Sequence, residues 1–247
     1  MTDIIRFINV TKCFNGEKVL DELNFSVRKG EILSIIGPSG TGKSVTLKHI
    51  VRLLTPSSGR VEVDGVDVGS CGVEELRQIR RRIGYLFQNG ALLAWKSVAE
   101  NVALPLEECT NFDEDEIACR VAAALESVEL TEAAEKYPAE LSGGMIKRAG
   151  LARAIVRDCE IVLYDEPTSG LDPVTANTIH RLIAKLNKAM NLTSIVVTHD
   201  LRAALDFSDR ILLLKDGKAI ACLAPEEFVK SENGEIKEFI KATGGIE

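Results

Sequence analysis

Two hydrophobic periodicities alternate along this chain. Residues 4–36 read as strands. Leu20, Leu23, Phe25 and Val27 include a period-two stretch, Arg28-Lys29-Gly30 reads as a turn, and Ile32-Leu33-Ser34-Ile35-Ile36 has the continuous apolar character of a buried central strand. A glycine-rich turn follows, then a helix predicted from Lys43 to Leu54 and ended by Thr55-Pro56-Ser57-Ser58-Gly59. Val61-Glu62-Val63 and Val66 flank Asp64-Gly65, a hairpin signal. From residue 89 to 157 the period becomes helical: Ile117, Val121, Ala124, Leu125 and Val128 fall on one face. Strand character returns at Ile161-Val162-Leu163-Tyr164 and at Ser194 to Thr198, with a helix between them that places Ile179, Leu182, Ile183, Leu186 and Met190 on one side. This order predicts an α/β fold: a single domain over residues 1–247, with an inserted helical subdomain at 89–157. Residues 225–247 add a helix through Ile236, Phe239 and Ile240 and a Gly-Gly tail.

Charge narrows the class. The 247 residues carry a net charge of −7, with 27% charged and 45% hydrophobic residues. The acidic balance opposes bulk nucleic-acid binding, which draws on Lys and Arg to displace counterions from phosphates. Asp113-Glu114-Asp115-Glu116 reads as a solvated first turn that complements a helix dipole, and Arg80-Arg81-Arg82 as a solvated helix end. Six cysteines form no C-x-x-C pair, so they read as reduced thiols. The N-terminus shows no signal peptide, and apolar runs such as Ile211-Leu212-Leu213-Leu214 are strand-sized.

The chemistry sits in the turns. Gly37-Pro38-Ser39-Gly40-Thr41-Gly42-Lys43-Ser44 matches G-x-x-x-x-G-K-[ST] between a predicted buried strand and a predicted helix. Glycines let backbone N–H groups close on phosphate oxygens, and the helix N-terminus adds a favourable dipole. Lys43 is placed for the β- and γ-phosphates of ATP, and Ser44 for Mg²⁺. Ile161 to Tyr164 ends in Asp165-Glu166, a Walker B pattern: Asp165 for Mg²⁺ and Glu166 to orient and deprotonate a water. Ser142-Gly143-Gly144, within Leu141-Ser142-Gly143-Gly144-Met145, opens a helix and forms a second anion site.

With Gln88, Ser169-Gly170-Leu171-Asp172 and His199 in the same order, the chain resembles an ATP-binding-cassette (ABC) ATPase subunit over nearly its whole length. The resemblance implies a P-loop NTPase (RecA-like) core with an antiparallel β subdomain and the inserted helical subdomain. It implies that Gln88 touches Mg²⁺ or the attacking water, that His199 contacts the γ-phosphate and steadies Glu166, and that Ser142, Gly143 and Gly144 bind ATP held by a second copy of the chain. Asp172 would cross that dimer interface, and Phe14 would stack on adenine, where the family more often has Tyr. Met145 departs from the Gln that many members carry.

Gln88-Asn89-Gly90-Ala91-Leu92-Leu93, together with Leu141 to Met145, is similar to the Mla/MCE group, which moves lipids between membranes. That resemblance implies an integral membrane permease, an MCE-domain lipid carrier and a position on the cytoplasmic side of the bacterial inner membrane, held there through the permease. An importer of a small polar solute such as an amino acid shares the same core motifs. Trp95 reads either as an anchor for the permease or as a buried residue of the helical segment.

Overall fold

The computed structural model describes residues 2–244. They form two compact units: residues 2–79 with 193–244, and Arg80–Leu192.

In the first unit, β1 (Asp3–Phe14) and β2 (Glu17–Arg28) pair antiparallel and are joined by β4 (Ser58–Val63) and β5 (Val66–Asp67) in the order β2-β1-β4-β5. Ile5, Val10, Leu20, Leu23 and Val27 are buried, and the Phe7 and Phe25 rings stack at 4.4 Å. The period-two reading slips where the register shifts along β1, and Glu22 at φ 49° marks the irregularity on β2.

A second layer of this unit is built on β3 (Ile32–Ile36), whose five residues are all buried. It lies between β8 (Thr193–Val197) and β9 (Arg210–Lys215), parallel to both, and β10 (Lys218–Leu223) pairs antiparallel with β9. Burial on both faces is why β3 and β8 read as unbroken apolar runs.

The helix after the glycine-rich turn, α1 (Lys43–Ile50), is shorter than expected. Arg52 takes φ 49° and its Nη1 donates to the carbonyls of Val68 and Cys71 at 3.3 and 2.9 Å, which ends the helix four residues early. Ser58 and Gly59, expected in the turn, belong to β4. α2 (Val73–Arg81) follows, and its Arg80 and Arg81 are exposed.

α7 (Leu201–Phe207), α8 (Pro225–Lys230) and α9 (Gly234–Ala242) complete the first unit. The helix expected through Ile236, Phe239 and Ile240 is α9, which Asn233 caps by accepting from the N–H groups of Glu235 and Ile236; α8 precedes it. Phe228 of α8 and Ile236 of α9 are wholly buried against Ile36, Ile211 and Leu213. Residues 245–247, with the second glycine of the tail, lie outside the described residues.

The second unit pairs β6 (Ile83–Leu86) parallel to β7 (Ile161–Asp165). Between these strands run α3 (Val98–Cys109), α4 (Glu114–Ser127) and α5 (Gly143–Ile155), which pack on one another, and α6 (Pro173–Met190) follows β7. Ser97 and Glu100 form a capping box at α3. Asp113 caps α4, accepting from Glu116 N at 2.9 Å, so the acidic run is indeed a helix start. Arg82, the last of the basic triplet, is half-buried and forms a forked pair with Glu160 at 2.7 and 3.0 Å.

Candidate functional site

Open parallel sheets present ligands at the carboxyl ends of their strands. In the first unit, β3 and β8 run in register, Ile35 opposite Val197, and Thr198 N donates to Ile35 O at 3.1 Å. The turn from Gly37 to Ser44 and the residue His199 therefore leave the same edge. Gly37 has φ 153°, and a Cβ there would lie 2.0 Å from the Leu214 carbonyl oxygen; only glycine fits. Gly42, at φ 96°, is the N-cap of α1 and offers no side-chain acceptor to the helix's first N–H groups. Lys43 is 5% exposed, and its Nζ donates to the carbonyls of Gly37 and Pro38 at 2.9 and 2.7 Å. The ammonium thus lies inside the curve of the loop. Pro38, Ser39 and Gly40 are exposed, while Thr41 and Ser44 are half-buried. Thr41 Oγ1 donates to Pro38 O at 2.9 Å and stiffens the turn. His199 is exposed, and the next residue, Asp200, caps α7. Phe14 ends β1 with its ring 39% exposed and the Lys12 ammonium 5.0 Å from its centroid.

In the second unit the ends of β6 and β7 again share an edge, Leu86 opposite Tyr164. This brings three of the expected residues together. Gln88 Nε2 donates to Glu166 Oε2 at 3.2 Å and to Ser169 Oγ at 3.3 Å. Asp165, at the last position of β7, is buried and accepts from the Tyr85 hydroxyl at 3.4 Å. Burial, with the Asp165 carboxylate beside it, drives the Tyr85 phenol's pKa upward and keeps it a donor. Glu166 itself sits at φ 46°, in the left-handed region.

Ser142 and Asp172 are engaged differently, each capping its own helix. Ser142 Oγ accepts from Met145 N at 3.3 Å at the start of α5. Asp172 accepts from Val174 N and Thr175 N at 3.0 and 3.1 Å, and hydrogen bonding from Thr175 holds its carboxyl below the usual carboxylate range. Ser142, Gly143 and Asp172 are exposed, and Gly144 is buried, its missing Cβ filled by Thr175 Cγ2.

Residues 20–169 match the family described as ABC transporter. The chain belongs to that family. It is 41% identical over 239 residues to the intermembrane phospholipid transport system ATP-binding protein MlaF of Haemophilus influenzae, covering 97% of this chain and 90% of that one. It is 40% identical over 245 residues to the methionine import ATP-binding protein MetN of Caulobacter vibrioides, covering 98% of this chain and 74% of that protein. Among solved structures, it is similar to a dimeric ATP-binding cassette in a post-hydrolysis state bound to ADP and Pi, with TM-score 0.82, 36% identity and coverage of 90% and 98%. This ABC chain is accordingly an ATP-binding subunit with ATPase activity, on the α/β P-loop fold its pattern predicted.

Three features of this ABC subunit escaped the sequence reading. Tyr85 reaches Asp165, Ser169 reaches Gln88, and Lys147 of α5 donates from Nζ to the carbonyl oxygens of Gln88 and Glu166. A signal for Lys147 was present: with Gly144, Leu151 and Ala154 it falls on the buried stripe of its helix, an unusual place for a cation. The buried reading of Trp95 is overturned, since the residue is 74% exposed. The segment leading to it bends through Gly90 at φ 70° and Ala91 at φ 51°, and Arg153 donates to both carbonyls at 2.7 and 2.8 Å. Among the described residues no helix is long and apolar enough to cross a membrane.

Proposed function

We propose that this subunit drives lipid movement between membranes in an Mla/MCE-type system, as one of two copies that close on ATP. The observation that carries the lipid reading is the similarity, over nearly the full length of both chains, to an intermembrane phospholipid transport ATPase. The dimeric cassettes it resembles support the pairing.

Each group then has a task. Gly37 to Ser44 cradle the phosphates with main-chain N–H groups, and Lys43 turns its ammonium from the Gly37 and Pro38 carbonyls to the β- and γ-phosphates. Phe14 offers its ring to adenine. Glu166 takes a proton from the attacking water, His199 steadies the γ-phosphate, and Gln88 holds the Glu166 carboxylate. Ser142, Gly143 and Gly144 serve the nucleotide of the second copy, and Asp172 crosses to it. The hydroxyl of Ser44 in the first unit, and the carboxylate of Asp165 and the amide oxygen of Gln88 in the second, are hard oxygen donors of the kind Mg²⁺ takes. Mg²⁺ would neutralise charge on the phosphates.

The permease partner is assigned to the surface around Trp95, and with it a place at the cytoplasmic face of the bacterial inner membrane. An aromatic ring this exposed is a typical anchor in a partner's pocket. The decisive experiment is mass spectrometry of proteins that co-purify with the tagged chain from detergent-solubilised native membranes. We expect a multi-helix permease and an MCE-domain carrier. A solute-binding protein with a different permease would move the reading to import, the activity named for the Caulobacter relative; soluble partners alone would end the transport reading. Trp95→Ala should lower permease recovery while leaving Tm unchanged. Undiminished recovery would remove Trp95 from the interface.

A further inference from the structure

Lys147 stands on the buried face of α5 with only 5% of its surface exposed. Burying an ammonium forfeits its hydration, and a hydrocarbon side chain would fill the same place without that loss. Burial does push the Lys147 pKa down, opposed by the pull of the Glu166 and Asp165 carboxylates.

Its partners give the charge a purpose. Nζ donates to the main-chain carbonyls of Gln88 and, at 3.3 Å, of Glu166. Gln88 in turn donates from its side chain to the Glu166 carboxylate at 3.2 Å. These three bonds close a ring through Lys147, Gln88 and Glu166. The ring encloses a strained residue: Glu166 at φ 46° occupies a region that costs any side chain except glycine and persists only when its surroundings hold it.

We infer that Lys147 is a positioning residue for ATP hydrolysis, fixing from α5 the main chains of Gln88 and Glu166 and so the place of the Glu166 carboxylate. The inference rests on the proposed role of Glu166 as the base. It also gives the helix a mechanical part. Ser142 caps α5 five positions before Lys147, so a displacement of α5 when Ser142 meets the second copy's nucleotide moves Nζ and is felt at this chain's own Glu166.

The test compares Lys147→Met, which keeps the apolar stem, with Lys147→Arg, which keeps charge and donors. Both are made in the full chain and measured in the assembly purified through it. We expect Lys147→Met to lower kcat by about tenfold or more, because small misplacements of a base are costly. KM for ATP and Tm should stay near wild type, and Lys147→Arg should restore most of the turnover. If Lys147→Met does not fold, Lys147→Gln, which keeps one donor group, takes its place under the same criteria. The inference is overturned if kcat is unchanged, if KM rises in its stead, or if Tm falls together with kcat in both variants. Glu166→Gln separates the two levels. Turnover that survives Glu166→Gln removes the base on which the inference depends, whereas turnover abolished by Glu166→Gln but indifferent to Lys147→Met removes the positioning role alone.

Discussion

Two glycine-rich segments open helices in this chain, and they are built on opposite terms. At the start of α1, glycine is required by the chain itself. Gly37 meets the Leu214 carbonyl, and a Cβ on Gly42 would lie 2.7 Å from Leu20 Cδ2 and 2.9 Å from Val19 O. No side chain caps that helix, and Lys43 is folded inside the turn. At the start of α5, Ser142 supplies an ordinary side-chain cap, and Gly143 is exposed. A Cβ on Gly143 would touch only the end of the Leu171 side chain, at 3.0 Å. The first segment closes around its own Lys43 ammonium. The second is divided: Gly144 is buried, with Thr175 Cγ2 2.7 Å from where its Cβ would lie, whereas Gly143 is exposed and the fold sets little against a side chain there. This asymmetry is what a cassette requires if one glycine turn serves its own nucleotide and the other serves a neighbour's.

The largest expected effect tests the division directly. Lys43→Ala should weaken ATP binding by about tenfold or more, since it removes the ammonium proposed to meet the phosphates. Ser142→Ala should leave single-chain affinity within about twofold, because it costs only a cap of about 1 kcal/mol in stability. In a Glu166→Gln background, expected to hold ATP without turning it over, Ser142→Ala should nonetheless prevent the ATP-dependent dimer. Calorimetry reads the affinity and light scattering the dimer. Equal loss of affinity in the two variants would erase the distinction between the segments.

A smaller effect concerns stability alone. Gly37→Ala forces a Cβ into a backbone carbonyl and should lower stability by about 3 kcal/mol or more, seen as a fall in Tm. Gly40 also has positive φ, 82°, but nothing lies near its missing Cβ. Gly40→Ala should therefore cost about 1 kcal/mol, the conformational strain without the collision. If the two variants melt together, steric enclosure is not what distinguishes the loop.

Legibility in the sequence followed the range of the forces. The loop from Gly37 to Ser44, the strand ends at Gln88 and Asp165 and the helix start at Asp113 are local devices, in which residue type and spacing dictate geometry. Where distant partners decide, the pattern misled. α1 stops at Ile50 because Arg52 bonds to Val68 and Cys71, residues whose proximity no local window reveals. Arg82 read as solvent-facing until Glu160, 78 positions away, paired with it. Trp95, at the end of an apolar run, could be read as anchor or as core, and only its exposure in the fold decides between them. Lys147 is the instructive case: its place on a buried stripe was visible, but its partners, Gln88 and Glu166, become neighbours only when β6 and β7 pair.

The smallest structural perturbation offers the sharpest reading of the comparison. Gly143→Ala replaces a helical glycine by a better helix former, a gain of about 0.5–1 kcal/mol, against a small displacement of the Leu171 side chain. Tm should therefore stay near wild type. Yet the added methyl stands on an exposed turn where main-chain N–H groups would approach a phosphate, so the ATP-dependent dimer of the Glu166→Gln background should weaken. Such a result would place the demand for glycine outside the chain that carries it. A Tm drop as large as that of Gly37→Ala would instead give both segments the same internal cause, and the outward role of the second would lose its support.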